Sequence, residues 1–461
     1  MRRRNILLMT ALLCSGLFWG CADNKKSVEM PYAGEGAGGG QERNAEDREN
    51  AEGMSGTAKT EKGYDLPVSD RERKEAEADG RRIMGLAADL YESAEKGSAP
   101  DSIFPEEALR ELTERIGETG SPVRSNRVYS NMENYENMEK FLSDSAAGVN
   151  GKILVYEIHS DGSIGRYQYS FDGENMHVLA ANFMRDSEGT PVMAYISHTR
   201  LAEWRYTEKG WFAYKLCVPE YPEVTEVVDG SCLIRIKPIT EENREMSEKY
   251  VFGLGYRGNN LLCSDWDEDH LEALDYNGAY EYLYAMKYRE EFPAEDYQTG
   301  IPKEEFEHLI MEYLPVTAEE IRSYAAFDGE RQTYVWKGLA YSNHISAWFE
   351  TSVPEVTEVK ENDDGTVTLR VDAVCSMVLC DDAVITHELT VRLLADGGFQ
   401  YLGNRVLNDG IREIPDYQYR AGEPCISASE NLSGIPDYHK KQAEDQRTGQ
   451  TEKSAEKTGG G

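Results

Sequence analysis

Histidines, carboxylates and serines at short spacings are where chemistry would first show, and each such motif in this chain stops half-way. His387-Glu388 opens H-E-x-x-H, in which two histidines one helical turn apart hold zinc and the glutamate activates water. Val391 stands where the second histidine belongs, and no other histidine completes the set. His387 instead falls in phase with Ile385, Leu389, Val391 and Leu393, so the alternation predicts a packed, hydrogen-bonded core histidine on a strand. Asp265, Asp267 and Asp269 open a calcium loop, which then requires glycine at its sixth position and a carboxylate at its twelfth. Those positions hold His270 and Tyr276, which excludes an EF-hand; the expected role is capping of a following helix. There is no G-x-S-x-G elbow. Ser93-x-x-Lys96 and Lys457-Thr458-Gly459 share spacings with penicillin-binding enzymes, but no S-D-N lies between them. Among 84 Asp and Glu, no general-acid and nucleophile pair can be picked out by position. No catalytic residue, metal ligand or cofactor site is assigned.

The thiols say more. Arg2, Arg3 and Arg4 precede an apolar run from Ile6 to Trp19, and small Gly20 stands just before Cys21. Fourteen apolar residues span about 21 Å as a helix, short of the roughly 30 Å of a bilayer core. A cleavable leader is therefore expected over 1–21 rather than a permanent span. Its end resembles the lipobox of bacterial lipoproteins, with Phe18 in place of the usual aliphatic residue. That resemblance implies cleavage before Cys21 and a diacylglyceryl (palmitate-type) group on its sulfur, placing the chain at the extracytoplasmic face of the cell membrane. Cys14 is a poorer acceptor because bulky Leu13 precedes it. Cys217, Cys232, Cys263, Cys375, Cys380 and Cys425 are too scattered for a tight disulfide framework, and the absence of any C-x-x-C argues against thiolate zinc.

Composition narrows the partners. A formal charge of −35 over 461 residues opposes nucleic-acid phosphates and suits solubility or cationic partners. Aromatics are the remaining binding candidates, because they can stack on sugars or grip a peptide. Tyr276, Tyr280, Tyr282, Tyr284 and Tyr288 crowd one predicted helix. Trp204, Tyr206, Trp211 and Tyr214 crowd one hairpin turning at Lys209-Gly210. Trp204 and Tyr206 share a face of that hairpin, which makes it the preferred binding candidate if the face is open.

The elements that must position these residues follow from periodicity. Residues 22–70 are polar and glycine-rich with almost no aliphatics, a disordered tether. Helices are expected over 70–96, from Pro105 to Ile116, and near 132–142. Strands rich in Val, Ile and Tyr follow over 152–237, with turns at Asp161-Gly162, Asp172-Gly173 and Asp229-Gly230. Helices return from Asp265 to Tyr288, over 302–313 and over 317–326, where Thr317 and Glu320 form a capping box. Strands close the chain at 333–336, 347–351, 366–374, 385–394 and 399–405, with turns at Asp364-Gly365 and Asp396-Gly397. The tail beyond 425 is polar and expected to be disordered.

The hexapeptide PEVTEV occurs at 222–227 and again at 354–359. Each copy runs into an Asp-Gly turn and an alternating strand, Ile234-Arg235-Ile236 in one and Leu369-Arg370-Val371 in the other. Each then has a longer connection and another strand, 249–256 and 387–394. The expected fold is therefore α+β: two tandem related modules, 71–295 and 296–425, each an antiparallel β-meander sheet with helices packed on one face. The segments LDYNGAYEYLYAMKY (274–288) and 302–313 resemble uncharacterised surface lipoproteins of clostridia-type Gram-positive bacteria, a likeness covering about residues 80–410. It implies a surface location and brings no catalytic residue. Three functions are open. The favoured one is a non-enzymatic lipoprotein binding a cell-wall component, peptide or protein. The others are an envelope hydrolase using carboxylates, and an accessory lipoprotein of a transporter or sensor. A facing carboxylate pair with a raised pKa would favour the hydrolase.

Overall fold

The protein is described by a computed structural model over residues 62–93, 104–225, 228–339, 351–375, 383–407, 417 and 419–421. The leader with Cys21, most of the tether, the tail beyond 425, Cys380, Cys425 and most of the strand expected at 347–351 lie outside these residues.

The chain opens with helix α1 (Asp70–Leu86), started by a capping box in which Ser69 and Glu72 satisfy each other's backbone amides. Helix α2 (Ala88–Ser93) follows, and α3 (Glu106–Gly117) starts behind Pro105. The stripe read from sequence is the buried one: Leu109, Leu112 and Ile116 all face inward. Strand β1 (Val123–Ser125) and helix α4 (Tyr135–Ala146) lead into a meander. Its strands are β2 (Gly151–Ile158), β3 (Ile164–Phe171), β4 (Met176–Arg185), β5 (Pro191–Tyr206), β6 (Trp211–Leu216) and β7 (Ser231–Arg235). The seven strands lie in chain order; β1 pairs parallel to β2 and every later pair is antiparallel. The Asp161-Gly162 and Asp172-Gly173 turns connect β2 to β3 and β3 to β4, with both glycines at positive φ.

Helices cover both faces of this sheet, not one. Tyr156, Ile158, Ile164 and Phe183 pack against Ile83 and Met84 of α1 and Leu112 and Ile116 of α3. Val155, Tyr169 and Phe171 pack against Met138, Phe141 and Leu142 of α4. Neighbours such as Val155 and Tyr156 point to opposite sides of a strand, so α4 lies on the side away from α1 and α3.

The second sheet holds β12 (Val353–Glu361), β13 (Thr366–Val374), β14 (Ile385–Leu393), β15 (Phe399–Leu407) and the short β8 (Trp266–Asp267), in that order and all antiparallel. The turns at Asp364-Gly365 and Asp396-Gly397 lie where the sequence put them. One face carries Val371, Leu389, Val391 and Tyr401 against helices α6 (Tyr276–Tyr288), α7 (Lys303–Tyr313) and α8 (Ala318–Tyr324). A small three-stranded sheet, β9 (Ile301–Pro302), β10 (Phe327–Asp328) and β11 (Thr333–Tyr334), lies among these helices in the order β10-β11-β9. This core runs from Tyr250 to Tyr401, so a division at 295/296 falls inside it and the sheets part near residue 240.

The α+β class stands, but the two PEVTEV segments do not play equivalent parts. Residues 222–225 lie in a turn after a cis Tyr221-Pro222 bond, whereas 354–359 lie within β12. The strand expected over 249–256 does not form: α5 (Glu241–Met246) continues as a π-turn over Ser247–Val251, and 252–256 are turn and irregular. Buried Ser247 explains the difference. Its hydroxyl donates to Asn243 O at 2.7 Å and accepts from Val356 N at 2.9 Å, docking this turn on the bulge of β12.

Candidate functional site

The hairpin aromatics do not form a fully open face: Trp211 and Tyr214 are buried, and Trp204 and Tyr206 are half-buried against α4. Trp204 and Tyr206 pair with Tyr214 and Phe212 across β5 and β6, and all four sit over α4. Trp204 packs edge-on against Phe171 and Phe212, and the Tyr206 hydroxyl donates to Glu139 of α4 at 2.8 Å. Trp211 points to the other side of the sheet, where it is buried with Ala213, Leu233 and Val374 of the second sheet. Tyr214 is buried against Tyr169.

The aspartate cluster does not cap a helix. Asp265 accepts from Val406 N at 2.7 Å, and Asp267 accepts from Asp269 N at 3.0 Å and pairs with His270 at 2.7 Å. The cap of α6 is Asp275, which accepts from Gly278 N at 2.8 Å. His387 is fully buried, in the role its register predicted. Asn404 donates its amide to Ser264 O, so its Oδ1 faces His387 Nδ1 at 2.6 Å and accepts that proton. The ring's Nε2 then accepts from the Tyr256 hydroxyl at 2.9 Å. Burial pushes the imidazole down to about 4 against the opposing Asn404 bond, so it is neutral at physiological pH. Cys217, Cys263 and Cys375 are free thiols among the described residues. No cluster of three or more His, Cys, Asp or Glu suited to a metal occurs among the described residues.

The site that sequence reading did not find is a four-charge cluster between the two sheets. Glu355 on β12 and Asp372 on β13 are direct cross-strand partners. Both lie on the face opposite the helices, with side chains 4% and 3% exposed. The first sheet supplies the cations. Arg235, the last residue of β7, meets Glu355 Oε1 at 2.9 Å; Lys209, in the β5–β6 turn, meets Asp372 Oδ2 at 2.5 Å. Thr386 donates to Asp372 Oδ1 at 2.8 Å. Arg235 also donates to Lys237 O and Lys209 O and lies over the Trp211 ring at 5.2 Å. Alongside, the Tyr129 hydroxyl donates to Pro354 O, and the Asn131 amide brackets the Ile239 backbone with two 3.0 Å bonds.

Burial, then the neighbouring Asp372 charge, push the Glu355 carboxyl up to about 7; Arg235 and Lys209 pull the other way. Desolvation wins because only one oxygen is paired: Oε2 is buried without a hydrogen-bond partner. Trp211 also lowers the value, although its Nε1 makes no full hydrogen bond. A protonated acid facing a second carboxylate is the arrangement acid/base hydrolysis uses. Here each carboxylate is occupied by a cation and almost nothing of either is open to a substrate, so the cluster joins two sheets.

The chain belongs to a family of unknown function, DUF6070, which it matches over residues 73–420. No curated protein and no solved structure matches it.

Proposed function

We propose that this member of an uncharacterised family is a bacterial lipoprotein, anchored to the extracytoplasmic face of the cell membrane through Cys21, with a non-enzymatic binding or structural role. The observation that carries the reading is the leader: three arginines, an apolar run too short to span, and Gly20 before Cys21, followed by a polar tether. One feature is consistent with it: among the described residues no helix is long and apolar enough to cross a membrane. Mass spectrometry of the membrane fraction tests it. A diacylglyceryl adduct on a peptide beginning at Cys21, lost in Cys21→Ala, supports the anchor. An unlipidated N-terminus at another position overturns it.

The hydrolase reading has one facing pair, Glu355 and Asp372, but both are paired with cations and closed to substrate, so it ranks below the binding role. Release of reducing ends from purified cell-wall glycan, abolished by Glu355→Gln in a folded protein, would establish that reading. Equal background with both proteins removes it.

A further inference from the structure

The helix that crowds tyrosines ends in an aromatic platform. Tyr284 and Tyr288 stand four apart on α6, so they share a stripe, with ring centroids 4.5 Å apart. Phe292, just past the helix, packs edge-on against Tyr284 at 5.3 Å and stacks on Tyr297 at 5.0 Å with an 18° interplanar angle. The outer rings are held from below. Tyr280 stacks on Phe306 of α7 at 4.9 Å, and Phe306 stacks on Tyr334 of β11 at 4.0 Å. This column carries the platform from the core to the surface, where Tyr288 is 49% exposed. Rings fixed in this way lose little freedom when they meet a ligand.

The rim is acidic. Glu290, Glu305 and Asp296 all lie close enough to the Tyr284 hydroxyl to disfavour its ionisation, after burial itself. Glu305 also accepts from the Tyr297 hydroxyl at 2.9 Å. Of the nine Asp and Glu in residues 276–313, Glu281, Glu307 and Glu312 are paired with Arg420, Arg322 and Lys287, which leaves six against Arg289 and Lys303. An ammonium already uses one ring: Lys287 Nζ lies 5.4 Å from the Tyr288 centroid while paired with Glu312. Ring faces attract cations through their quadrupole, and flanking carboxylates add to that attraction.

We propose that this platform is a docking surface for the lysine or arginine side chains of a cationic partner protein or peptide, with Tyr284 and Tyr288 as the ring faces and Glu290, Asp296 and Glu305 as the charged rim. It deepens the binding role proposed above and rests on that role, but not on the lipid anchor, so the two fail separately. Charge complementarity selects the partner: the patch is acidic on a chain of formal charge −35, so an anionic glycan or nucleic acid would be repelled.

The test titrates the full chain, in non-ionic detergent at low salt, with a fluorescent hexalysine peptide. Tyr288→Leu and Tyr284→Leu keep every charge and remove a ring face. Each should weaken binding about two- to fivefold, the size of a partly exposed cation–π contact, and the double variant more. Glu305→Gln should weaken binding as well and reduce its salt dependence. Tyr288→Leu changes an exposed ring, and circular dichroism checks that the fold is kept. No measurable hexalysine binding by the wild type overturns the proposal. So does equal affinity of wild type and the double leucine variant, because attraction to a general acidic surface would then account for all of it.

Discussion

Replacing Glu355 by glutamine isolates the energetics of the inter-sheet cluster. A glutamate carboxyl titrates near 4.5 when exposed and near 7 here. Each pH unit of separation is worth about 1.4 kcal/mol, so the group carries about 3 kcal/mol of pH-linked stability. It is almost wholly buried, so solvent screening removes little of this. The sign follows from the direction. The folded protein holds this proton more tightly than the unfolded chain. The contribution is therefore fully present below about pH 4.5 and is lost as pH rises through about 7. Glutamine keeps the shape and a carbonyl oxygen for Arg235 but cannot ionise. Urea unfolding of both proteins from pH 5 to 9 reads the difference directly, because every other titrating group is common to both and cancels. Near pH 5 the two should have similar stability. By pH 9 Glu355→Gln should be more stable by up to about 3 kcal/mol. A variant less stable than wild type by a constant amount across the range would refute the reasoning. It would mean that Glu355 is ionised throughout and that its pairing with Arg235 outweighs the cost of burial.

Three further outcomes are expected. Arg235→Met removes the cation that Glu355 Oε1 faces, so the carboxyl takes up a proton; the loss of stability at pH 8, one unit above the folded value of about 7, should exceed that at pH 5 by about 1.4 kcal/mol, and urea midpoints at the two pH values check it. Gly80→Ala should lower the melting temperature despite the better helix propensity of alanine, because a Cβ there would lie 2.2 Å from the Phe183 ring; overpacking of this kind costs about 1–3 kcal/mol, and calorimetry measures it. Ser69→Ala should cost about 1 kcal/mol through loss of the α1 cap, while Ser69→Asp should restore most of it.

What was legible in the sequence is what local chemistry decides. The Asp-Gly turns at 161–162, 172–173, 364–365 and 396–397, the Thr317–Glu320 capping box, the strand 366–374 and the inward phase of His387 depend on neighbours within a few residues, and the structure has each of them, whereas Asp229-Gly230 is irregular rather than a turn. The pattern misled wherever a distant element set the outcome. Residues 249–256 read as a strand, yet 249–251 belong to a π-turn that the hydroxyl of Ser247 ties to β12. Alternation put Trp204 and Tyr206 on one face correctly but could not say that α4 lies over it. Glu355 and Arg235 were hidden for the same reason. A charged residue at every second position of a strand reads as a solvent face, and only the approach of the other sheet turns that face inward.

That approach bears on how such a chain would work at a membrane. Residues 63–66, expected as part of a disordered tether, are ordered beside the first sheet: Leu66 N donates to His198 O at 3.0 Å, and Arg200 N donates to Gly63 O at 2.6 Å, both on β5. The aromatic platform belongs to the other core, with α6 and α7. A chain anchored at Cys21 and bound at the platform would therefore pass any pull through the contact between the two sheets. That contact has two small apolar patches, one around Trp211 and Val374 and one of Tyr129, Ile239 and Val353, with a few hydrogen bonds and four paired charges, of which the two carboxylates are buried and Lys209 is 35% exposed. Buried ion pairs are poor sources of stability but resist the removal of one partner, because separation strands a charge in a poorly solvated site. A matched set of two cations on one sheet and two carboxylates on the other thus favours one docking geometry over slipped alternatives that a purely apolar contact would tolerate.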